Sequence, residues 1–378
     1  MNVYLQMKIS CYFCLLLLAL VVISCGDKNS YILKGNITGL GNSEIYIVSD
    51  EGLHLDTIQA KSGKFTYRGV SPTVKPLILY MEGGSAWITV WVQNGEVFML
   101  TGNAHYPEMM MVKGGEVNKL LSEFKTENLS LIKERCDLRD NISTRTEHAS
   151  ESGKSMNNAQ LSSQLKNTDQ ILKTRAQDFV EAHPSSIAAL VMIQDYILDV
   201  NHAADIQSFL TLLNDSVKLN PLFDKLHTLC ARDVQTKAGQ PALDFKIANT
   251  QNDTVSLATF NGKYLILTFA TSQCEFCKPG YTELLDMEKK FPAKELAIFT
   301  VSLDEKKSDW KNLAQEMGID WAQAIDTTGW DSEIASLYNV LSVPCNYLID
   351  KDKMIIGSKL RVDSIRSILD DRLKKIKD

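Results

Sequence analysis

Two cysteines stand two residues apart in TSQCEFCKPG (271–280): Cys274 and Cys277. Before them runs YLILTFA (264–270), apolar and of strand length. After them the chain reads as helix to about Phe291. At such a junction, unpaired backbone N–H groups and the helix dipole favour negative charge. A thiolate there has a lowered pKa, and the thiolate is the nucleophile. The spacing puts the two side chains about one helical turn apart, within reach of a disulfide. Taken alone, it allows a redox pair, half of a metal site, or two inert buried thiols. In the redox reading Cys274, nearer the loop tip, attacks; Cys277, one turn in, resolves the mixed disulfide.

The metal reading lacks ligands. A zinc site needs about four. No second C-x-x-C follows residue 24, and all six histidines (His54, His105, His148, His183, His202, His227) precede the last domain. No metal and no cofactor is expected. Beyond Cys25 five cysteines remain, so one is left over whatever pairs. Cys136 and Cys230, both in helical sequence, either pair with each other or pack inertly. Cys345 is either a third thiol engaging the pair or a small buried strand residue.

The elements that must position these groups fall into three stretches. From Tyr31 to about Lys113, short alternating runs such as ILKGNITGL, SEIYIVSD and AWITVWV are separated by Gly, Asn, Ser and Pro. They predict a small antiparallel β-domain over 25–114, a sandwich or barrel. From about Gly115 the period turns helical, and 115–236 is expected as a helical region. Within it, the polar stretch 143–164 reads as a loop between helices or the weak end of a long one. From 237 to 378, strands alternate with helices and end in a hairpin (CNYLID, KMIIGSKL) and an amphipathic helix. That order predicts an α/β domain with a mixed sheet covered on both faces.

The first 24 residues are expected outside the fold. CYFCLLLLALVVIS (11–24) has the length of a signal h-region, is short for a membrane span, and follows Lys8. Its end, VISCGD, resembles a bacterial lipobox, which implies cleavage before Cys25 and acylation of that residue. An exported chain meets an oxidising compartment, where thiols pair unless something reduces them. The composition, 44% hydrophobic and 23% charged, is that of a folded globular protein. A net charge of −6 gives no basic face for nucleic acid.

Val343-Pro344 stands about seventy residues after the cysteines, just before CNYLID. At this point the sequence resembles the thioredoxin fold. More closely, it resembles the membrane-anchored thiol–disulfide oxidoreductases of the TlpA type, with an AhpC/TSA-like core. The resemblance covers 239–378 and rests on GQPALDF, LATFNGKYLILTFATSQCEFC, IFTVSLDE and VPCNYLIDKD. It implies that Pro344 is cis, lies beside the C-x-x-C, and exposes the backbone of Val343 to substrate. The β-rich N-terminal segment resembles domains that precede thioredoxin domains in some Gram-negative lipoproteins.

The sequence also departs from the family. Gln273 replaces the common Trp before the first cysteine, and Glu275-Phe276 lacks the usual Pro. Thr268 stands where many thioredoxins carry a buried acid, and Cys345 where Thr usually follows the cis proline. Pro279-Gly280 predicts a kink in the early helix. Gln273, Glu275, Phe276, Lys278 and Cys345 are therefore candidate redox-tuning residues. Glu275 should raise the Cys274 pKa and Lys278 lower it. Trp310, Trp321 and Trp330 are expected as core and surface framing of the site.

The expected protein is a lipid-anchored thiol–disulfide oxidoreductase, a reductase of protein disulfides, in the cell envelope and facing the periplasm. Its partners would be protein thiols or disulfides and a membrane-embedded electron donor. Two alternatives stand. One is a lipid-anchored binding module on a degenerate thioredoxin scaffold. The other is a peroxiredoxin-like antioxidant, for which Thr271-x-x-Cys274 fits part of the motif but Leu267 replaces its proline.

Overall fold

A computed structural model describes residues 28–49, 54–81, 87–147, 155–199 and 202–374. The expected signal segment, with Cys11 and Cys14, and the lipidation candidate Cys25 lie outside the described residues. The chain divides into two compact units, Met1–Tyr196 and Ile197–Asp378.

The first unit holds strands β1 (Tyr31–Thr38), β2 (Glu44–Ser49), β3 (His54–Gln59), β4 (Lys64–Gly69), β5 (Lys75–Met81), β6 (Trp87–Val92), β7 (Val97–Asn103) and β8 (Met111–Lys113). Along YILKGNIT, burial alternates with period two, so one face of the strand meets the core. Two four-stranded sheets, β4-β1-β7-β8 and β3-β2-β5-β6, close over one cluster that includes Leu33, Ile47, Leu79, Val90 and Leu100. The pairing is antiparallel except between β1 and β7, which run parallel. This corrects the expectation of a purely antiparallel domain. A parallel pair needs a long return connection, and strands β2 to β6 supply it.

Helices α1 (Glu116–Glu127), α2 (Leu129–Glu147), α3 (Ser155–Ala182) and α4 (Ile187–Met192) complete this unit. Helix α1 covers two sheet edges whose backbone groups would otherwise lack partners. Its Ser122 side chain meets the N–H and C=O of Val112, and Asn118 does the same for Trp91. The polar stretch 143–164 is helical through Glu147 and again from Ser155.

The second unit begins with three short helical pieces: a 3₁₀ turn (Ala203–Ile206), α5 (Gln207–Leu212) and α6 (Asp215–Lys218). The longer α7 (Pro221–Thr236) follows. The hairpin β9 (Lys246–Ala248) and β10 (Thr254–Ser256) comes next. Then a five-stranded sheet runs β13-β12-β11-β14-β15, with β11 (Tyr264–Ala270), β12 (Leu296–Ser302), β13 (Ala322–Ile325), β14 (Cys345–Ile349) and β15 (Ile355–Gly357). Strands β11, β12 and β13 are parallel; β14 and β15 are antiparallel.

Every residue of YLILTFA is buried, as expected of a strand covered on both faces. Leu265, Leu267 and Phe269 join one core cluster; Tyr264, Ile266 and Ala270 join the other. The second cluster includes side chains of α8 (Lys278–Lys290), α9 (Lys307–Met317) and α11 (Val362–Lys374). The first includes side chains of α10 (Glu333–Leu337) and of the 3₁₀ turn Leu257–Phe260. Helix α9 ends at Gly318, whose φ of 69° is the left-handed conformation that favours glycine. Helix α10 is short: Ser332 caps it, and Asn339 follows at φ 51°.

Helix α7 belongs to this second unit. Its Arg232 donates to Ser336 Oγ at 2.6 Å, and its Asp233 forms a buried ion pair with Lys359. Asp233 also accepts from the Ala204 N–H at 3.0 Å. The helical stretch 115–236 is thus shared between the two units.

Candidate functional site

Cys274 and Cys277 lie where β11 ends and α8 begins, and they are joined in a disulfide with 5.3 Å between their Cα atoms. A 3₁₀ turn, Glu275–Cys277, connects loop to helix. The Cys277 N–H donates to the Cys274 carbonyl at 3.0 Å, which holds the turn. Cys274 is half-buried, whereas Cys277 is 2% exposed and packs in the cluster with Tyr281 and Leu284. The two sulfurs therefore differ in access, and Cys274 is the one a protein thiol or disulfide can reach.

Pro279 sits in the first turn of α8, where its missing N–H has no partner to lose. The kink expected from Pro279-Gly280 is absent: α8 runs unbroken from Lys278 to Lys290. Gly280 serves packing instead, because a Cβ there would stand 3.2 Å from Val362 Cγ2 of α11.

The Val343–Pro344 peptide bond is cis. Val343 is partly buried and packs against the same cluster as Cys274, while Pro344 is exposed. Val343 and Cys274 thus border the same core cluster.

Glu275 and Lys278 pair with each other, carboxylate to ammonium at 2.9 Å. Hydrogen bonding to Glu275 holds the Lys278 ammonium above its ordinary range. Their opposite effects on Cys274 partly cancel because each charge is spent on the other. Gln273 is exposed, and Phe276, between the cysteines, is 82% exposed. Phe276 is an apolar ring presented to solvent beside the disulfide.

Cys345 lies elsewhere. It belongs to the cluster of Leu267, Phe269 and Tyr347, across the sheet from the cluster of Cys277. Burial pushes its thiol up to about 12, with Lys359 pulling the other way. Cys136 and Cys230 are free, and each stands near a different partner: Glu108 at 3.8 Å and Gln207 Oε1 at 3.0 Å. Burial raises the thiol of Cys136 to about 11 and that of Cys230 above its usual value. Trp310 and Trp321 are buried, with indole N–H groups donating to Gln323 and Thr300; Trp330 is exposed.

Thr268 carries no proton function in this arrangement. It is buried and donates to Asn346 Oδ1 at 2.6 Å, and Asn346 in turn donates to the Leu360 carbonyl. A carboxylate that the sequence reading missed lies at the end of β12. Asp304 is 7% exposed and accepts from the Ser272 N–H (2.9 Å), Ser272 Oγ (2.7 Å) and Ser302 Oγ (2.7 Å). The available signal was an acid directly after the apolar run of a parallel strand, at the C-terminal sheet edge where α/β sites gather.

Parts of the chain are similar to known proteins. Residues 238–358 match the AhpC/TSA family, and residues 31–121 match a domain of unknown function, DUF4369. The thiol-disulfide oxidoreductase ResA of Bacillus cereus is 26% identical over 146 residues, covering 39% of this chain and 82% of that relative. A relative from Synechocystis that carries a peroxiredoxin name is 28% identical over 159 residues, covering 37% of this chain and 77% of the relative. Among solved structures, a thiol-disulfide oxidoreductase from Bacteroides fragilis has 26% identity and a TM-score of 0.33. It covers 35% of this chain and 98% of that structure. Residues 238–358 are thus similar to the AhpC/TSA family.

Proposed function

We propose that this protein is a lipid-anchored reductase of protein disulfides that works through Cys274 and Cys277. The chain is an enzyme, a thiol–disulfide oxidoreductase of the thioredoxin-like superfamily. The observation that carries the proposal is the Cys274–Cys277 disulfide at the start of α8, with one sulfur accessible and the other buried.

In the reduced protein the Cys274 thiolate attacks a substrate disulfide. A bond forms from Cys274 Sγ to one substrate sulfur, and the other substrate sulfur leaves as a thiolate that takes up a proton. Cys277 then loses its proton and attacks Cys274 Sγ. The enzyme disulfide forms, the mixed disulfide breaks, and the second substrate thiol departs. Two electrons pass from the dithiol to the substrate. A thiol carrier embedded in the membrane restores the dithiol by the reverse exchange, since cytosolic reductants do not reach an envelope protein. The anchor would be Cys25, and Val343 would offer its backbone to the substrate chain.

The scaffold alternative loses one support, because Pro279 leaves α8 unbroken. The peroxidase alternative rests on Thr271-x-x-Cys274 with Leu267 in place of proline. The test is insulin reduction by the wild type, Cys274→Ser and Cys277→Ser. A reductase requires activity in the wild type, none in Cys274→Ser, and a trapped mixed disulfide in Cys277→Ser. Equal activity in wild type and Cys274→Ser would refute it.

A further inference from the structure

We infer that Asp304 is a positioning residue of the redox loop, and that its buried negative charge sets the pH response of the Cys274–Cys277 pair. This rests on the reading of that pair as the redox centre.

Three observations converge on Asp304. First, its carboxylate holds the loop itself. Both oxygens accept from the Ser272 N–H, at 3.1 and 2.9 Å, and Oδ1 also accepts from Ser272 Oγ. Ser272 lies two residues before Cys274, so the approach of the chain to the attacking sulfur is fixed from the end of β12. Second, the donors are neutral. Ser302 Oγ supplies the remaining contact at 2.7 Å, and no Lys, Arg or His among the described residues pairs with Asp304. No cation offsets a carboxylate held by neutral donors, and low local dielectric carries a charge further than water would. Third, the Tyr281 hydroxyl is buried without a hydrogen-bond partner, one turn along α8 from Cys277. Its ring packs edge-on against Trp310. Burial and the charge of Asp304 hold its proton well above the usual phenol range. The field of Asp304 therefore extends toward the helix face that carries Cys277.

The other charged groups around the pair do not supply this field. Glu275 and Lys278 neutralise each other, and Glu316 acts on Lys278. Glu305 lies along Gly329. Tyr281 stays protonated. Thr268, the position where an acid would otherwise stand, is bound to Asn346. Asp304, bound to Ser272 two residues before Cys274, is left as the buried carboxylate of the loop.

The sign follows. A like charge disfavours the thiolate, so Asp304 keeps the thiols protonated to higher pH. A less stable thiolate makes the reduced form less stable and the dithiol a stronger reductant. Asp304 thereby favours the reductase direction.

The experiment measures the alkylation rate of Cys274 against pH in the reduced full chain, with the midpoint potential, for wild type, Asp304→Asn, Asp304→Glu and Ser272→Ala. The expected result is a downward shift of the Asp304→Asn midpoint by about one pH unit, with a less negative potential. Asp304→Glu and Ser272→Ala, which keep the charge, retain the wild-type midpoint. In the unmutated chain, the side-chain carboxyl carbon signal of Asp304 moves as Cys274 titrates, which reads the coupling even if Asp304→Asn does not fold. An unshifted midpoint in Asp304→Asn overturns the inference, as does an equal shift in Ser272→Ala or a flat carbon signal. A wild-type pair that does not cycle at all overturns instead the redox reading beneath it.

Discussion

Cys274 and Cys277 share a turn but not an environment, and the division of labour between them follows from that difference. The half-buried sulfur can be attacked or attack; the buried one meets only its neighbour. Replacing Cys274 with Ser should lower insulin reduction by roughly 100-fold or more, because the nucleophile is lost outright. Cys277→Ser should instead accumulate a mixed disulfide visible on a non-reducing gel. Cys345 provides the contrast. Burial pushes its thiol to about 12 from an ordinary 9.0, so at pH 8 it holds almost no thiolate. In the folded protein it should resist maleimide for hours at pH 8 and react promptly once guanidinium unfolds the chain. Modification of the folded protein at the rate of a free thiol would contradict its placement. The pair was legible in sequence because C-x-x-C after an apolar strand is a local pattern. The place of Cys345 was not, because its face of β14 is decided by register with β11, where Cys345 stands opposite Phe269.

Helices and strands show which sequence signals survive folding. YLILTFA was readable as a strand from its apolar run and its length. Pro279 misled because its meaning depends on position: in the first turn it is tolerated, and only deeper in a helix does it break the ladder. The parallel pairing of β1 with β7 was invisible because strand partners far apart in sequence leave no local trace. Helix α7 carries a prediction of its own. Asp233 and Lys359 form a buried pair between α7 and the segment after β15. Asp233→Ala removes the buried carboxylate that pairs with Lys359 and should cost about 3–5 kcal/mol. Chemical denaturation of the second unit measures it. The double change Asp233→Ala with Lys359→Met should recover part of that loss; a loss no smaller than in the single variant would refute the pairing as its cause.

At the scale of the whole molecule, the chain is two compact units whose border falls at Tyr196–Ile197. The redox pair, Asp304 and Val343-Pro344 all lie in the second. A fragment spanning 197–378 should therefore fold and retain the redox behaviour of the pair. A fragment that starts at 237 lacks α7 and with it Arg232 and Asp233, the partners of Ser336 and Lys359. It should melt lower by roughly 10 °C or more, which differential scanning calorimetry resolves. Equal melting temperatures would show that α7 adds nothing to the domain. The shift of period at Gly115 located the start of the helical stretch, but its division between two units depends on contacts that periodicity does not encode.

The most direct test of the central claim is a redox titration of residues 26–378 with alkylation and mass mapping of every cysteine. The account predicts that Cys274 and Cys277 interconvert together as one two-electron couple, while Cys136, Cys230 and Cys345 keep their thiols throughout. A Cys274–Cys277 bond that stays closed at every accessible potential, or a couple that engages Cys345 instead, would contradict it.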